Sequence, residues 1–142
     1  MIGSFTGPHQ FLSNFYLAEI DFEDATYASV EHAYQAAKTR DRREREQVRR
    51  AKSPGAAKRA GRRVILRPDW DSIKIEVMRR LVRQKFYTDS VLAGRLRATG
   101  AQELIEGNSW NDTFWGQCPL GVGFNHLGKI LMEVRGELRD GS

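Results

Sequence analysis

Glu31, Gln35 and Lys38 fall at i, i+4 and i+7 in SVEHAYQAAK, residues 29–38, a spacing that stacks a carboxylate, an amide and an amine on one face of an α-helix. A carboxylate can stabilise positive charge at carbon or move a proton, and a desolvated amine can attack an electrophilic carbon. The same face can equally be a solvated surface. Ser29 stands where an N-cap belongs, and Ala33, Ala36 and Ala37 favour the helix. A second concentration lies in residues 106–125, EGNSWNDTFWGQCPLGVGFN, where Glu106, Asn108, Asn111 and Asp112 are interleaved with Trp110, Phe114, Trp115 and Phe124. Loops longer than about 12–15 residues are uncommon unless functional. A third is FTGPHQFLSNFY, residues 5–16, in which Ser13 and Asn14 sit among four aromatics. Such a loop packs into the core or lines a pocket that stacks a planar ligand.

The elements that must position these groups read as mainly helical. Ile20, Phe22, Thr26 and Tyr27 flank Glu23 and Asp24 as a two-stranded hairpin ahead of the Ser29 cap. Residues 41–51 form a charged helix. Ser53 and Pro54 open a short one through about Ala60, ended by Gly61. Beyond Pro68, Asp71 or Ser72 opens a long helix carrying Ile73, Val77, Leu81, Val82 and Phe86, the central strut of the core. A helix from Asp89 to about Ala98 with Gly100 beyond it, a short strand over 101–105, and a last helix from His126 bearing Leu127, Leu131, Val134 and Leu138 complete the chain. The expected fold is a compact multihelical single domain over residues 1–142 with a small N-terminal β-hairpin.

Composition narrows the class. A chain of 142 residues, 40% hydrophobic, has the size of one soluble globular domain. It lacks the apolar run of a membrane span and the basic start of a signal peptide, so the expected setting is the cytoplasm, with no membrane partner. One cysteine, Cys118, and three scattered histidines give neither a disulfide nor zinc spacing; no metal and no cofactor are expected. The net charge of +5 is uneven: residues 40–67 hold twelve Lys and Arg against three acids, a local +9, leaving −4 for the rest. Such a block attracts phosphates of a nucleic acid or a phosphorylated small molecule, or is simply a pair of solvated helices.

Aromatics beside amides suit a nucleobase or similar heterocycle, the basic segment suits its phosphates, and carboxylates without a triad or metal spacing suit an oxocarbenium-like centre at a glycosidic carbon. The ordered phrases LSNFY (12–16), SVEHAYQAAK (29–38), DW (69–70), VM (77–78), KF (85–86), TG (99–100), LIEGNSWNDTFWG (104–116) and GFNHLGKILMEVR (123–135) resemble the successive motifs of the NADAR family, also called YbiA-like N-glycosidases, from Phe5 to about Leu138. The resemblance implies a mostly helical fold and hydrolysis of the bond between a ribose and a nitrogen heterocycle. Substrates in the family include phosphoribosylamino-pyrimidine intermediates of riboflavin synthesis and ADP-ribose on guanine. Its EHxYQxxK motif falls on Glu31, His32, Tyr34, Gln35 and Lys38, and its ExNxxxDxxWG motif on Glu106, Asn108, Asp112, Trp115 and Gly116. Ser13, Asn14 and Phe15 match its aromatic-amide loop, and Trp70 its tryptophan before the long helix. The loop around Trp110 and Asn111 is slightly longer than the family form.

Glu31, Lys38 and Asp112 are therefore the expected catalytic residues, and Ser13, Asn14, Phe15, Gln35, Trp70, Asn108, Trp115 and Gly116 the substrate-binding ones. A separation of roughly 5 Å between Glu31 and Asp112 implies a covalent route and roughly 6.5–9.5 Å a water between them. Lys38 holds a phosphate or ribose hydroxyl, or attacks the C1 of an opened ribose. Glu31 and Lys38 are expected to face the 108–116 loop across a cleft that Phe15 and Trp115 help close. Several alternatives stay open from the residues themselves: His32 as a packed or surface histidine, Trp70 as core, and Asn108 as a loop-closing residue. A non-catalytic module binding nucleic acid through 40–67, or binding ADP-ribose, is the rival reading.

Overall fold

A hairpin leads into the first helix because alternating apolar residues give way to a serine cap. The structure, a computed structural model, describes residues 1–141 and divides into two compact units: Asn14–Lys85, and Met1–Ser13 with the chain from Phe86 onward. The mainly helical fold with one small antiparallel sheet agrees with the sequence expectation.

Within Asn14–Lys85, β1 (Leu17–Phe22) pairs with β2 (Ala25–Ser29), Ile20 opposite Tyr27 and Phe22 opposite Ala25. Ile20 and Tyr27 are buried, as one face of a half-buried ribbon requires. Helix α1 (Val30–Ala37) follows directly, the Ser29 hydroxyl accepting from the His32 amide at 3.1 Å. Asp41 caps α2 (Arg42–Arg49) through the amides of Arg43 and Glu44, and Ser53 caps α3 (Pro54–Gly61) through that of Ala56. Helix α4 (Trp70–Thr88) begins at Trp70, ahead of the expected Asp71 or Ser72, because the Trp70 amide already donates to the Arg67 carbonyl. Its Trp70, Met78, Leu81 and Val82 are buried. Helix α1 packs on the hairpin, α2 and α3, and every one of its residues is buried. Gly61 makes the α1–α3 approach possible: a Cβ there would overlap the Gln35 Oε1 and lie 2.7 Å from its Cδ.

In the other unit, the segment expected as a loop contains a 3-10 helix, Gly7–Leu12, which buries Phe11 and Leu12. Phe11 meets Phe86 edge-on, 6.5 Å between centroids, and the Arg95 guanidinium lies 4.1 Å from its ring centre. Asp89 caps α5 (Ser90–Ala98), which packs on α6 (His126–Asp140); Leu127, Ile130, Leu131 and Val134 of α6 are buried. The strand expected over 101–105 is only a parallel bridge of Leu104 to Ile2, held by the Ile2 amide on the Glu103 carbonyl and the Ile105 amide on the Ile2 carbonyl.

Candidate functional site

Helix α1 presents its polar groups inward. Glu31 and Gln35 are 7% and 4% exposed, which removes the solvated-surface reading, and Lys38, the residue capping the helix, is half-buried. The Lys38 ammonium lies 5.7 Å from the Tyr34 ring centre, and Tyr34 tilts at 57° against Trp70 with centroids 5.1 Å apart. Trp70 is thus buried, backing Tyr34. Burial lowers the basicity of Lys38; Glu31 opposes that by raising it, while Arg62, Lys58 and Lys74 lower it further. A carboxylate and a desolvated amine therefore share one water-poor wall, where fixed charges act more strongly than in bulk water.

The Glu31 amide donates to the Asn14 carbonyl at 3.2 Å, and the Asn14 side-chain amide donates to the Met78 sulfur at 3.4 Å, which ties the chain entering the hairpin to α1 and α4. Phe15 keeps 43% of its surface open, enough for a planar ring to cover. Gln35 contributes an unusual group: its buried Oε1 has no hydrogen-bond partner among the described residues. His32 is fully buried between the Ser29 hydroxyl at Nδ1, 2.7 Å, and the Ala51 carbonyl at Nε2, 3.1 Å. Since a carbonyl only accepts, Nε2 carries the proton and Ser29 donates to Nδ1. His32 is a packed residue holding α1 to the turn after α2.

The 106–125 loop is built around Asn108, which is 6% exposed. Its Nδ2 donates to the Glu106 carboxylate and to the Asp112 carbonyl, each at 2.9 Å, and its Oδ1 accepts from the Asp112 amide at 2.9 Å. Asp112 in turn accepts from the amides of Phe114 (3.1 Å) and Trp115 (2.9 Å) at Oδ1, which fixes its carboxylate. Gly116 lies so close that a Cβ there would overlap the Glu106 carbonyl and carboxylate and reach 2.8 Å from the Asn108 Nδ2. The carbonyls of Phe114, Trp115 and Gly116 then accept from the amides of His126, Leu127 and Asn125, so the loop satisfies the start of α6, whose N-cap Asn125 provides no side-chain cap. The chain at Trp110 and Asn111 is exposed, with Asn111 at φ 63°, a left-handed conformation that asparagine tolerates. Trp115 is half-buried against Phe114 and His126, with centroids at 4.8 and 6.2 Å. Ser13 closes the 3-10 helix, its amide on the Gln10 carbonyl at 2.9 Å.

The structure thus gathers Glu31, Gln35 and Lys38 with Tyr34 and Trp70 in one unit, and Asn108, Asp112, Trp115 and Gly116 with Glu106 in the other. Sequence reasoning missed two residues. Asn125 organises the loop, accepting from the Glu106 amide at Oδ1 and donating to the Leu104 carbonyl, both at 2.9 Å. Lys85 is buried at 1% exposure with its ammonium 5.5 Å from the Tyr16 ring centre, and burial holds its pKa down at about 7. The basic segment also divides: Arg49 and Arg50 pair with Glu46, Arg45 with Glu23, and Arg40 and Arg67 with Asp69, whereas Lys58 and Arg62 act on Lys38. Among the described residues no group of three or more His, Cys, Asp or Glu is placed to hold a metal ion, and no helix is long and apolar enough to cross a membrane.

Comparison with known proteins adds the following. The model of the NADAR domain matches residues 4–139. A Vibrio vulnificus protein named a riboflavin biosynthesis protein is 46% identical over 134 residues, 93% of this chain but only 36% of that protein's length. The Escherichia coli protein named N-glycosidase YbiA is 41% identical over 128 residues, 89% of this chain and 79% of the relative. A Nostoc punctiforme protein named an N-glycosidase is 40% identical, covering 94% and 88%. The NMR structure of the E. coli protein YbiA matches with a TM-score of 0.86 at 38% identity, over 97% of this chain and 83% of that one.

Proposed function

The chain belongs to the NADAR domain family, and we propose that it is an N-glycosidase that hydrolyses the bond between a ribose, bearing a phosphate or ADP, and a nitrogen heterocycle. The observation that carries this reading is the buried Glu31 beside the desolvated Lys38 on α1. In the reaction the C1–N bond breaks, its electron pair leaves with the heterocycle nitrogen, which takes a proton, and a water oxygen bonds to C1. Glu31 stabilises the positive charge that develops at C1. Lys38 either holds the sugar phosphate or attacks C1 as the free amine, giving an imine that water then cleaves. Phe15 stacks the heterocycle, and the unpaired Gln35 Oε1 accepts from a ribose hydroxyl.

A riboflavin-pathway phosphoribosylamino-pyrimidine, in keeping with a relative named a riboflavin biosynthesis protein, and ADP-ribosylated guanine are the compounds to test first. Each is incubated with the protein, the guanine adduct both as nucleoside and in DNA, and release of ribose phosphate or ADP-ribose is followed. Release by the wild type, its loss in Glu31→Gln, and retained substrate binding in that variant are the expected results. Binding without release from any of them, with Glu31→Gln indistinguishable from wild type, refutes the enzyme and favours a binding module.

A further inference from the structure

Helices α2 and α3 leave a groove between them that the glycosidase reading does not use. The Glu44 carboxylate near the start of α2 accepts from the Ile65 amide, just beyond α3, at 3.0 Å, while residues 50–53 join the opposite ends, so the two helices run antiparallel. The groove between them has a volume of about 480 Å³, with Glu44, Gln47 and Ala51 on one side and Ala56, Ala60 and Arg63 on the other. Arg43 lies one turn before Gln47, Arg59 one turn before Arg63, and Lys52 follows Ala51 in the joining turn. The side chains of Arg43, Lys52, Arg59 and Arg63 are exposed and form no ion pair or hydrogen bond among the described residues. The acids of this segment are engaged elsewhere: Glu46 by Arg49 and Arg50, Asp41 by the amides that open α2, and Glu44 by the Thr39 hydroxyl at 2.6 Å and the Ile65 amide.

We propose that the groove between α2 and α3 binds the phosphodiester backbone of a nucleic-acid duplex through Arg43, Lys52, Arg59 and Arg63. The proposal is independent of the glycosidase reading. Glu44 offsets one of the four charges, and the others have no counter-charge in the fold. Folding alone does not account for their placement. The helix dipole favours Arg59 near the end of α3 but disfavours Arg43 in the first turn of α2, and Arg59 and Arg63 repel each other at i, i+4. A bound polyanion relieves both effects, and arginine suits phosphate oxygens by two-pronged contact. Ala51, Ala56 and Ala60 give the groove a floor of small side chains over which a backbone can approach closely. Residues 40–67 contain no Phe, Tyr or Trp, so the segment offers no ring on which the bases of a single strand could stack, and contact with a duplex backbone is favoured. At eight residues α3 is about 12 Å long, the axial span of three to four phosphates of one strand at roughly 3.4 Å each.

Binding of the full chain to a short labelled DNA duplex of arbitrary, unmodified sequence is followed by fluorescence anisotropy between about 50 and 200 mM salt. Four phosphate contacts predict that log K falls against log salt with a slope of about −3.6, a loss of about two orders of magnitude across that range. Arg43→Gln, Lys52→Gln and Arg63→Gln should each flatten the slope by about 0.9. Arg80→Gln, at an exposed position of α4 outside the groove, removes the same charge and should leave the slope unchanged. A second duplex of unrelated sequence should bind equally, and a single strand of the same length more weakly. Circular dichroism melts check folding; the three groove positions are exposed and glutamine is a good helix former, so one lowered melt leaves two variants to decide. Absence of binding at the lowest salt, a slope untouched by the groove substitutions, an equal change in Arg80→Gln, or tighter binding of the single strand overturns the proposal. The titration needs no turnover, so the two readings fail separately. A chain that binds the duplex in this way but releases no base refutes the glycosidase alone, and an active glycosidase that leaves the duplex free refutes the groove alone.

Discussion

Asn108→Asp changes one atom type in the loop that holds Asp112. The new side chain keeps the acceptor for the Asp112 amide but replaces the Nδ2 that donates to the Glu106 carboxylate and the Asp112 carbonyl, both at 2.9 Å. Losing a bond to a charged acceptor costs about 1.5–3 kcal/mol and one to a carbonyl about 0.5–1.5, so the sum is about 2–4.5 kcal/mol. At 6% exposure water does not replace them, and two carboxylates then face each other. The sign of the pH dependence follows. Burial beside Glu106 raises the folded pKa of the introduced carboxyl above its unfolded value, about 3.9, so the folded state binds more protons and stability falls as pH rises through that window. Protonation restores one donor, so the deficit is smaller at pH 5 than at pH 8. Urea unfolding of wild type, Asn108→Asp and Asn108→Ala at both pH values reads this directly. A deficit below roughly 0.5 kcal/mol at pH 8, or one independent of pH, refutes the assignment of Asn108 as the tie that positions Asp112.

Gly61→Ala drives a methyl into Gln35 and should cost about 1–3 kcal/mol; Gln35→Ala should recover part of it, and additive losses in urea titrations would contradict the contact. Gly116→Ala should displace the Glu106–Asn108 pair at a similar cost of about 1–3 kcal/mol, with turnover falling alongside stability. Lys85 has a pKa held at about 7 by burial against 10.5 when unfolded, so between these values the unfolded chain binds the extra proton and stability rises with pH, by at most about 1.4 kcal/mol per unit. Lys85→Met should flatten that rise in melts between pH 7 and 9, and a wild type with no rise sinks the assignment.

The helices were legible because their caps are local. Ser29, Asp41, Ser53 and Asp89 each accept the amides that a side-chain oxygen in that position reaches, whatever the rest of the chain does. The 101–105 strand was not, since a strand exists only through its partner, and Ile2 supplies a single bridge. The polar stripe of α1 was visible as spacing, but its burial depends on a glycine twenty-six residues away from Gln35 that lets α3 approach. Lys85 was invisible for a related reason: a lysine following an apolar stripe reads as a solvated end, and only packing makes it core. In the 106–125 loop the composition announced a built structure, while Asn125, at its far end, showed its importance only when its amide met Glu106 and Leu104.

The two roles open to Lys38 make opposite demands on its charge, and the cations around it allow them to be separated. An attacking amine must be neutral, so turnover fails as pH falls and the amine protonates; a phosphate-holding ammonium must be charged, so turnover fails as pH rises. Burial is the largest cause of the lowered pKa, and Arg62 adds to it. Removing the guanidinium in Arg62→Gln therefore raises the Lys38 pKa. If Lys38 attacks C1, the acidic limb of the kcat profile moves to higher pH; if it holds phosphate, the basic limb moves to higher pH and the active range widens. Measuring kcat at saturating substrate separates this shift from any change in substrate binding. Borohydride trapping during turnover gives the independent check, since only the attacking amine leaves a reduced adduct on Lys38. A limb that stays in place in Arg62→Gln, with no adduct, refutes the assignment of the titrating group to Lys38. The acid–base behaviour would then belong to the carboxylates alone.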